Sequence, residues 1–391
     1  MFVDETAEQK ALRTELRAYF ATLMTPDVLA ATRDVESGEL YRRLIRQMGK
    51  DGWLGVGWPK EYGGQGRAAS DQLIFFEEAL LAGAPLPFVT LNTVGPALMA
   101  LGSDAHKKMF LPGILSGEIH FAIGYSEPEA GTDLAALTTT AVREGDEYVI
   151  NGTKSFTSGA EGADYIWLAA RTDADAPKHK GLTIFIVDTK LPGFSVSPIY
   201  TVGSMRTNMT YYDHVRVPAS MTVGAVNGGW QLITAQLNHE RISLAAFGVK
   251  ALGLYNDTLA WARAQVAADG RPLIEQPWVQ MVLAEAYCRL KAMRVMNARM
   301  AWELEQGQPD PARASAAKVY GTECVIEVYR LLLQVPGPMG AIQAESAGAL
   351  ANGELERQYR LCQINTFGGG VNEIQREIVA MLGLRMPRVP R

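Results

Sequence analysis

Cysteine is scarce here, with three among 391 residues: Cys288, Cys324 and Cys362. No C-x-x-C spacing occurs, which argues against a disulfide framework or a thiolate zinc site. The helical context of each predicts a buried, reduced core thiol. Histidine is sparse too. His106, His120, His179, His214 and His239 never pair with another His or Cys at ligand spacing, so no metal is expected. No apolar run approaches the roughly 18 residues of a membrane span. The opening MFVDETAEQK is acidic and lacks the apolar stretch of a signal peptide. Positive charge is in deficit, with 37 Lys and Arg against 42 Asp and Glu and a net charge of −5. That gives no support for a nucleic-acid partner or an anionic membrane surface. These absences together predict a cytoplasmic globular protein.

What is present is a chain 48% hydrophobic and 20% charged, enough for a large core or two to three domains. Its texture divides in three. Residues 1–120 carry helical periodicity, as in ALRTELRAYFATLM and DQLIFFEEALLAG. Residues 121–225 break into short β-rich runs, DEYVING, YIWLAA, GLTIFIVDT, FSVSPIY and TYYDHVRVP, punctuated by Gly, Pro and Asp. They predict a compact antiparallel β domain. Residues 226–391 return to helical pattern, interrupted at EQGQPDPAR and QVPGPMGA. The expected fold is therefore mostly α with a central β domain. The glycine-rich GWLGVGWPKEYGGQG is neither a Rossmann nor a P-loop motif, because its spacing is wrong and no strand–turn–helix surrounds it.

Three stretches carry chemistry. In AQLNHERISLAAFG (235–248), Glu240 falls on a helical stripe with Ile233, Leu237, Leu244 and Phe247. A lone carboxylate on an apolar face is costly unless it is paired or kept protonated. His239 beside it points about 100° away on a helix and reads as structural. IGYSEPEAGTDLAAL (123–137) sets Gly131 and Thr132 in a turn between Ser126 and Asp133. Such a turn aims N–H groups and hydroxyls at an anion, or is an ordinary turn. NGTKSFTSGAEGADYIWLAARTD (151–173) is a β-hairpin candidate that displays Phe156 among Ser155, Thr157 and Ser158.

HFAIGYSEPEAGTDLAAL, INGTKSFTSGAEGADYIWLAAR and FGGGVNEIQREIVA, in that order, resemble the signatures of the acyl-CoA dehydrogenase family. KKMFLPGILSGEIHFA and DHVRVP fall in register with them, and the likeness runs from GWPKEYGG to the end of the chain. It is greatest to bacterial subunits that dehydrogenate the CoA thioester of a shortened steroid side chain. The resemblance implies an N-terminal helical domain, a β-barrel-like middle domain and a C-terminal four-helix bundle. It also implies FAD, an acyl-CoA substrate, and an electron-transfer flavoprotein as acceptor. By motif position Ile123, Tyr125, Ser126, Gly131 and Thr132 would line the flavin and pyrophosphate. Phe156 would pack on the ring where the family more often has Trp, and Ser158 would replace the usual Thr. Thr132, Asn238 and Arg241 would contact substrate.

Most of the family carries its base as a Glu in the C-terminal signature; here Gly369 stands at that place. Glu240 falls where the isovaleryl and long-chain branches keep theirs, which answers what the buried carboxylate is for. Burial raises a carboxyl pKa toward the working pH and makes it a better general base. Glycine at 369 keeps the backbone N–H that the family aims at the enolate oxygen. Glu373, the competitor in the tail, opens a helix, where a carboxylate is a common stabiliser.

The likeness also has gaps. Val266 and Asp269 occupy the positions of the Arg and Phe that serve a neighbouring chain's FAD. The cross-chain motif keeps Gln334 and Gly337 but has Pro338 for its second glycine. A second family member supplying the missing groups, in an α2β2 assembly, would repair this. A homotetrameric branched- or short-chain dehydrogenase, a non-catalytic partner subunit, and a flavin oxidase or monooxygenase remain alternatives.

Overall fold

The computed structural model describes residues 4–33, 37–234, 236 and 248–387. The N-terminal part is built of helices α1 (Ala7–Leu23), α2 (Pro26–Thr32), α3 (Glu39–Lys50), α4 (Ala69–Leu81), α5 (Gly95–Leu101) and α6 (Asp104–Leu115). α1 begins at a capping box, Thr6 and Gln9 each bonding the other's backbone N–H. Its Leu12, Leu16 and Phe20 recur at four-residue spacing on one buried face. Arg13 fastens that face to α4 through Glu77 at 2.7 Å and Glu78 at 2.5 Å. Ser103 caps α6 with His106, whose Nε2 lies 2.6 Å from the Ser220 carbonyl and so ties the helices to the strands.

Strands β1 (Phe121–Gly124), β2 (Thr140–Glu144), β3 (Glu147–Lys154), β4 (Tyr165–Arg171), β5 (Leu182–Asp188), β6 (Phe194–Tyr200), β7 (Arg206–Pro218) and β8 (Thr222–Val223) form one sheet. Its order is β6-β7-β3-β2-β4-β5-β8, with β1 beside β4. The sheet is mixed rather than antiparallel, because β1 and β2 run parallel to β4. The intervening β2–β3 hairpin gives the chain the length a parallel connection needs. The stretch 151–173 is not a hairpin: β3 pairs with β2 and β7, and β4 pairs with β1 and β5. Residues 155–164 are too long for a tight turn and carry Phe156 and Gly159 at positive φ. The true hairpin turns at Gly145, φ 64°.

Period-two alternation makes the sheet a shared wall. Ile184 and Ile186 of β5 enter the core made by α1, α4 and α6, while Phe185 and Val187 enter a second core on the other face. β4 divides likewise, Trp167 and Ala169 on one side and Ile166 and Leu168 on the other.

Helices α7 (Gly248–Ala264), α8 (Pro277–Glu305), α9 (Pro311–Gln334), α10 (Glu354–Leu361) and α11 (Asn372–Ile378) make the C-terminal part. Leu254, Leu283, Leu290, Val328 and Leu332 pack a separate core there. Cys324 and Cys362 are buried as expected, and burial pushes their thiols up to about 11 and about 12. Cys288 is exposed, contrary to the expectation of a core thiol. α8 buries the stripe Val279, Leu283, Ala286 and Leu290, and position 288 lies off it. Among the described residues no helix is long and apolar enough to cross a membrane.

Candidate active site

β1 delivers the first signature. Ile123, half-buried, lies opposite Trp167 in the parallel register, and the chain leaves the strand at Gly124. A tight turn closes between Glu127 and Ala130, whose backbones exchange bonds of 2.9 and 3.2 Å. The Glu127 carboxylate is buried and saturated. It accepts from the Thr138 N–H at 2.6 Å, the Thr138 hydroxyl at 2.8 Å, the Thr139 N–H at 2.8 Å and the Lys154 ammonium at 2.8 Å. Burial opposes its charge, but Lys154 and these donors outweigh burial and hold the carboxyl at about 2. Lys154, fully buried at the end of β3, is drawn down to about 8 by burial, with Glu127 opposing. Its Nζ also donates to the Tyr125 carbonyl at 3.1 Å, and the next residue's N–H, Ser155, donates to the Ser126 carbonyl at 2.8 Å. One buried ion pair thus holds the two β signatures side by side. Sequence reasoning missed it; the available signal was an opposite charge inside each motif, in SEPEAG and in NGTK.

The second signature's loop is pinned by backbone. The Thr157 N–H donates to the Asn208 carbonyl at 2.9 Å, and Asn208 Nδ2 returns a bond to the Thr157 carbonyl at 3.1 Å. Phe156 is held at φ 58° with its ring 65% exposed. A side-chain-bearing residue in that region costs of order 1–3 kcal/mol and persists where its surroundings demand it. Beside it the Ser155 hydroxyl is buried with no hydrogen-bond partner among the described residues. The Ser158 hydroxyl, exposed, lies 3.0 Å from that of Thr207. Gly131 has open space where a Cβ would sit, and Thr132 is exposed. An uncovered aromatic plane, a buried hydroxyl in want of a partner and an unobstructed turn fit a flat ring with polar edges and an anionic tail. The residues present fit FAD.

The C-terminal signature forms a tight turn of its own. Gly369 and Gly370 take φ 67° and 92°, a conformation that favours glycine. The turn is fastened by Lys318, buried on α9, which donates to the carbonyls of Thr366 at 3.0 Å and Gly370 at 2.9 Å and to Asn372 Oδ1 at 2.8 Å. Gln375 Nε2 donates to the Gly369 carbonyl at 3.3 Å. Lys318 was likewise not singled out from sequence, since its partners lie about 50 residues away. Glu373 is exposed in the first turn of α11. Glu240, with Asn238, His239 and Arg241, lies outside the described residues.

Gln334 ends α9 exposed, and Gly337, φ 59°, has open space around its Cβ position. Val266 is 69% exposed, and Arg271 is paired with Asp269 at 2.8 Å.

Three family models match in sequence order. They are the acyl-CoA dehydrogenase N-terminal domain over residues 6–118, the middle domain over 122–215 and the C-terminal domain over 227–384. The chain is an acyl-CoA dehydrogenase. Members of this family are FAD flavoproteins that oxidise a CH–CH bond of acyl-CoA thioesters. Two relatives from Mycobacterium tuberculosis, acyl-CoA dehydrogenases FadE26 and FadE29, are 49% and 50% identical over the full length of both chains. Among solved structures, a chain of the Tcur3481-Tcur3483 steroid acyl-CoA dehydrogenase is 54% identical with a TM-score of 0.95, covering all of both chains. A chain of the ChsE4-ChsE5 complex from Mycobacterium tuberculosis is 50% identical, TM-score 0.94, again covering both fully. The dehydrogenase expected from the signatures is thus borne out, as are its fold and its cofactor.

Proposed function

We propose that this acyl-CoA dehydrogenase is the base-bearing subunit of an α2β2 enzyme acting on the CoA ester of a shortened steroid side chain, with Glu240 as base. The observation that carries the reading is the φ of 67° at Gly369. Where most of the family holds its base, the backbone takes a form that strains any residue with a Cβ by roughly 1–2 kcal/mol. A glutamate there is disfavoured, and Glu240 is the family's alternative position. The similar steroid enzyme and the ChsE4-ChsE5 complex support the substrate class and the paired assembly.

In this reading Glu240 removes the Cα proton of the thioester. The Gly369 N–H donates to the thioester oxygen as negative charge develops on it. Asn238, Arg241 and Thr132 bind the acyl-CoA. Ile123, Tyr125, Ser126, Gly131 and Thr132 hold the cofactor's ring and pyrophosphate, Phe156 covers the ring, and Ser158 hydrogen-bonds its edge. FAD, when bound, supplies the acceptor for the hydride leaving Cβ. Gln334 and Gly337 reach a neighbouring chain's cofactor, while the partner chain supplies the cation and aromatic missing at Val266 and Asp269. The domains divide at about residues 120 and 225, the enzyme works in the cytoplasm, and an electron-transfer flavoprotein collects the electrons.

Glu240→Gln tests the base. Flavin content stays near normal while turnover of a steroid propanoyl-CoA drops about 10²–10⁴-fold. Near wild-type turnover refutes the base. Faster turnover of butyryl- or octanoyl-CoA by the wild type refutes the substrate class. A stable homotetramer with one FAD per chain refutes the α2β2 assembly.

A further inference from the structure

Between the N-terminal and C-terminal helices lies a cavity of about 820 Å³. Its size falls in the range of ligand pockets, roughly 300–1,000 Å³. Leu29 of α2 and Phe88 line it from one side, Leu254 of α7 and Val325 of α9 from the other. Three of the charges in its lining are spent on one another. Glu354 accepts from Arg357 at 2.7 Å and from Arg33 at 3.3 Å, and Gln358 adds a third donor at 2.8 Å.

Two lining residues tie the cavity to the signatures. Met205 stands two residues before Thr207, whose hydroxyl meets that of Ser158 at 3.0 Å. Asn365 immediately precedes Thr366, whose carbonyl Lys318 holds. Two residues of chain span at most about 7 Å. One end of the cavity therefore lies close to the second signature's loop and to the residues leading into the Gly369 turn.

The lining holds one anomaly. Tyr329 of α9 is 1% exposed and has no hydrogen bond among the described residues. Burial raises its pKa, so the phenol keeps its proton and can donate. A buried tyrosine hydroxyl normally finds a partner, and leaving it without one is costly. Phenylalanine would fill the same space without that cost. The shape of the missing partner follows from the cavity. A straight acyl chain is a single file of methylenes and leaves most of such a space unfilled. A fused-ring body fills it and buries apolar area against Leu29, Phe88 and Leu254.

We propose that this cavity receives the ring body of the acyl group, and that Tyr329 donates to a ketone or hydroxyl oxygen carried on it. Tyr329 is then a specificity-determining residue that selects ring-oxygenated esters over plain hydrocarbon ones. The inference rests on the reading of the substrate as a steroid side-chain CoA ester.

The test uses the holoenzyme with its partner chain and propanoyl-CoA esters of three tetracycles, bearing a ring ketone, a ring hydroxyl or no ring oxygen. Wild type prefers the better oxygenated ester over the plain one about 10- to 100-fold in kcat/KM, the scale of a buried hydrogen bond left unmade. Which of the two it prefers identifies the oxygen. Tyr329→Phe brings that ratio to within about threefold of one, and its melting temperature stays at or above that of wild type. Leu29 is 39% exposed, so Leu29→Trp narrows the cavity from α2 with little strain. It lowers the ratio of tetracyclic to butyryl-CoA turnover about 10-fold. A wild-type ratio near one, an unmoved ratio in Tyr329→Phe, or a lower melting temperature there overturns the role of Tyr329. Equal losses on both substrates in Leu29→Trp overturn the cavity as the ring site. If wild type turns over butyryl- or octanoyl-CoA faster than every tetracyclic ester, the substrate reading itself has failed, and that result is distinct from the others.

Discussion

Lys154 and Lys318 are both buried, and each secures one signature loop by different physics. Lys154 pairs with a carboxylate from a separate motif, so charge holds two strands' ends together. Lys318 caps the carbonyls of a single tight turn and the amide oxygen of Asn372, fixing the backbone around Gly369. The first bond is strong because both partners are desolvated, and dangerous for the same reason, since losing one strands the other. The second spreads its work over three acceptors and fails by degrees. The junction of the two β signatures is therefore brittle, and the turn around Gly369 is forgiving.

Breaking the brittle side has the largest effect. Lys154→Met leaves Glu127 buried without its ammonium, which costs about 3–5 kcal/mol. The expected outcome is a purified chain with less than half the wild-type flavin absorbance and a lower urea midpoint. Unchanged flavin content means the pair does not hold the signatures. Lys318→Met comes next, at about 1–3 kcal/mol for carbonyls left unsatisfied. It lowers kcat while the flavin spectrum stays normal; a parallel loss of flavin erases the contrast between the lysines. The third effect is acid sensitivity. The Glu127 carboxyl is depressed from 4.5 to about 2. Its contribution is complete above pH 4.5 and is lost as pH falls through about 2. The difference in melting temperature between wild type and Glu127→Gln is flat from pH 7 to about 5 and shrinks below 4.5. A difference that grows on acidification contradicts the pairing. The smallest effect belongs to Glu373→Gln, exposed on α11, which stays within about 0.5 kcal/mol in stability and leaves turnover unchanged.

The sequence disclosed what repeats locally and concealed what closes over distance. Leu12, Leu16 and Phe20 announce α1, and GLTIFIVDT announces β5, because side-chain period and burial are read from neighbours. The signatures likewise disclosed Phe156 and Gly369 as places of interest. Their backbone conformations, φ 58° and 67°, follow from loops whose shape no period encodes. The hairpin misread at 151–173 has the same origin, since strand pairing is settled by partners such as β7, over fifty residues away. Lys154–Glu127, Lys318–Gly370 and Tyr125–Gln236 span 27, 52 and 111 residues, beyond any motif window. Cys288 shows the reverse limit: a helical context sets period, while the neighbours a helix meets decide which side is inside.

β5 belongs to two interiors at once, with Ile184 and Ile186 in one and Phe185 and Val187 in the other. Neither interior can loosen without exposing an edge of its neighbour, so the N-terminal helices and the sheet melt as a single cooperative unit. The slowest-exchanging amides of that unit are then those of β4 and β5, whose opening requires both interiors to come apart. Inherited change is bound the same way: a bulkier residue at 185 presses on β3 and β7, and one at 184 or 186 presses on helices a hundred residues upstream. Drift along this strand must satisfy two juries in alternating positions, which leaves its sequence less free than that of any strand with one face to solvent.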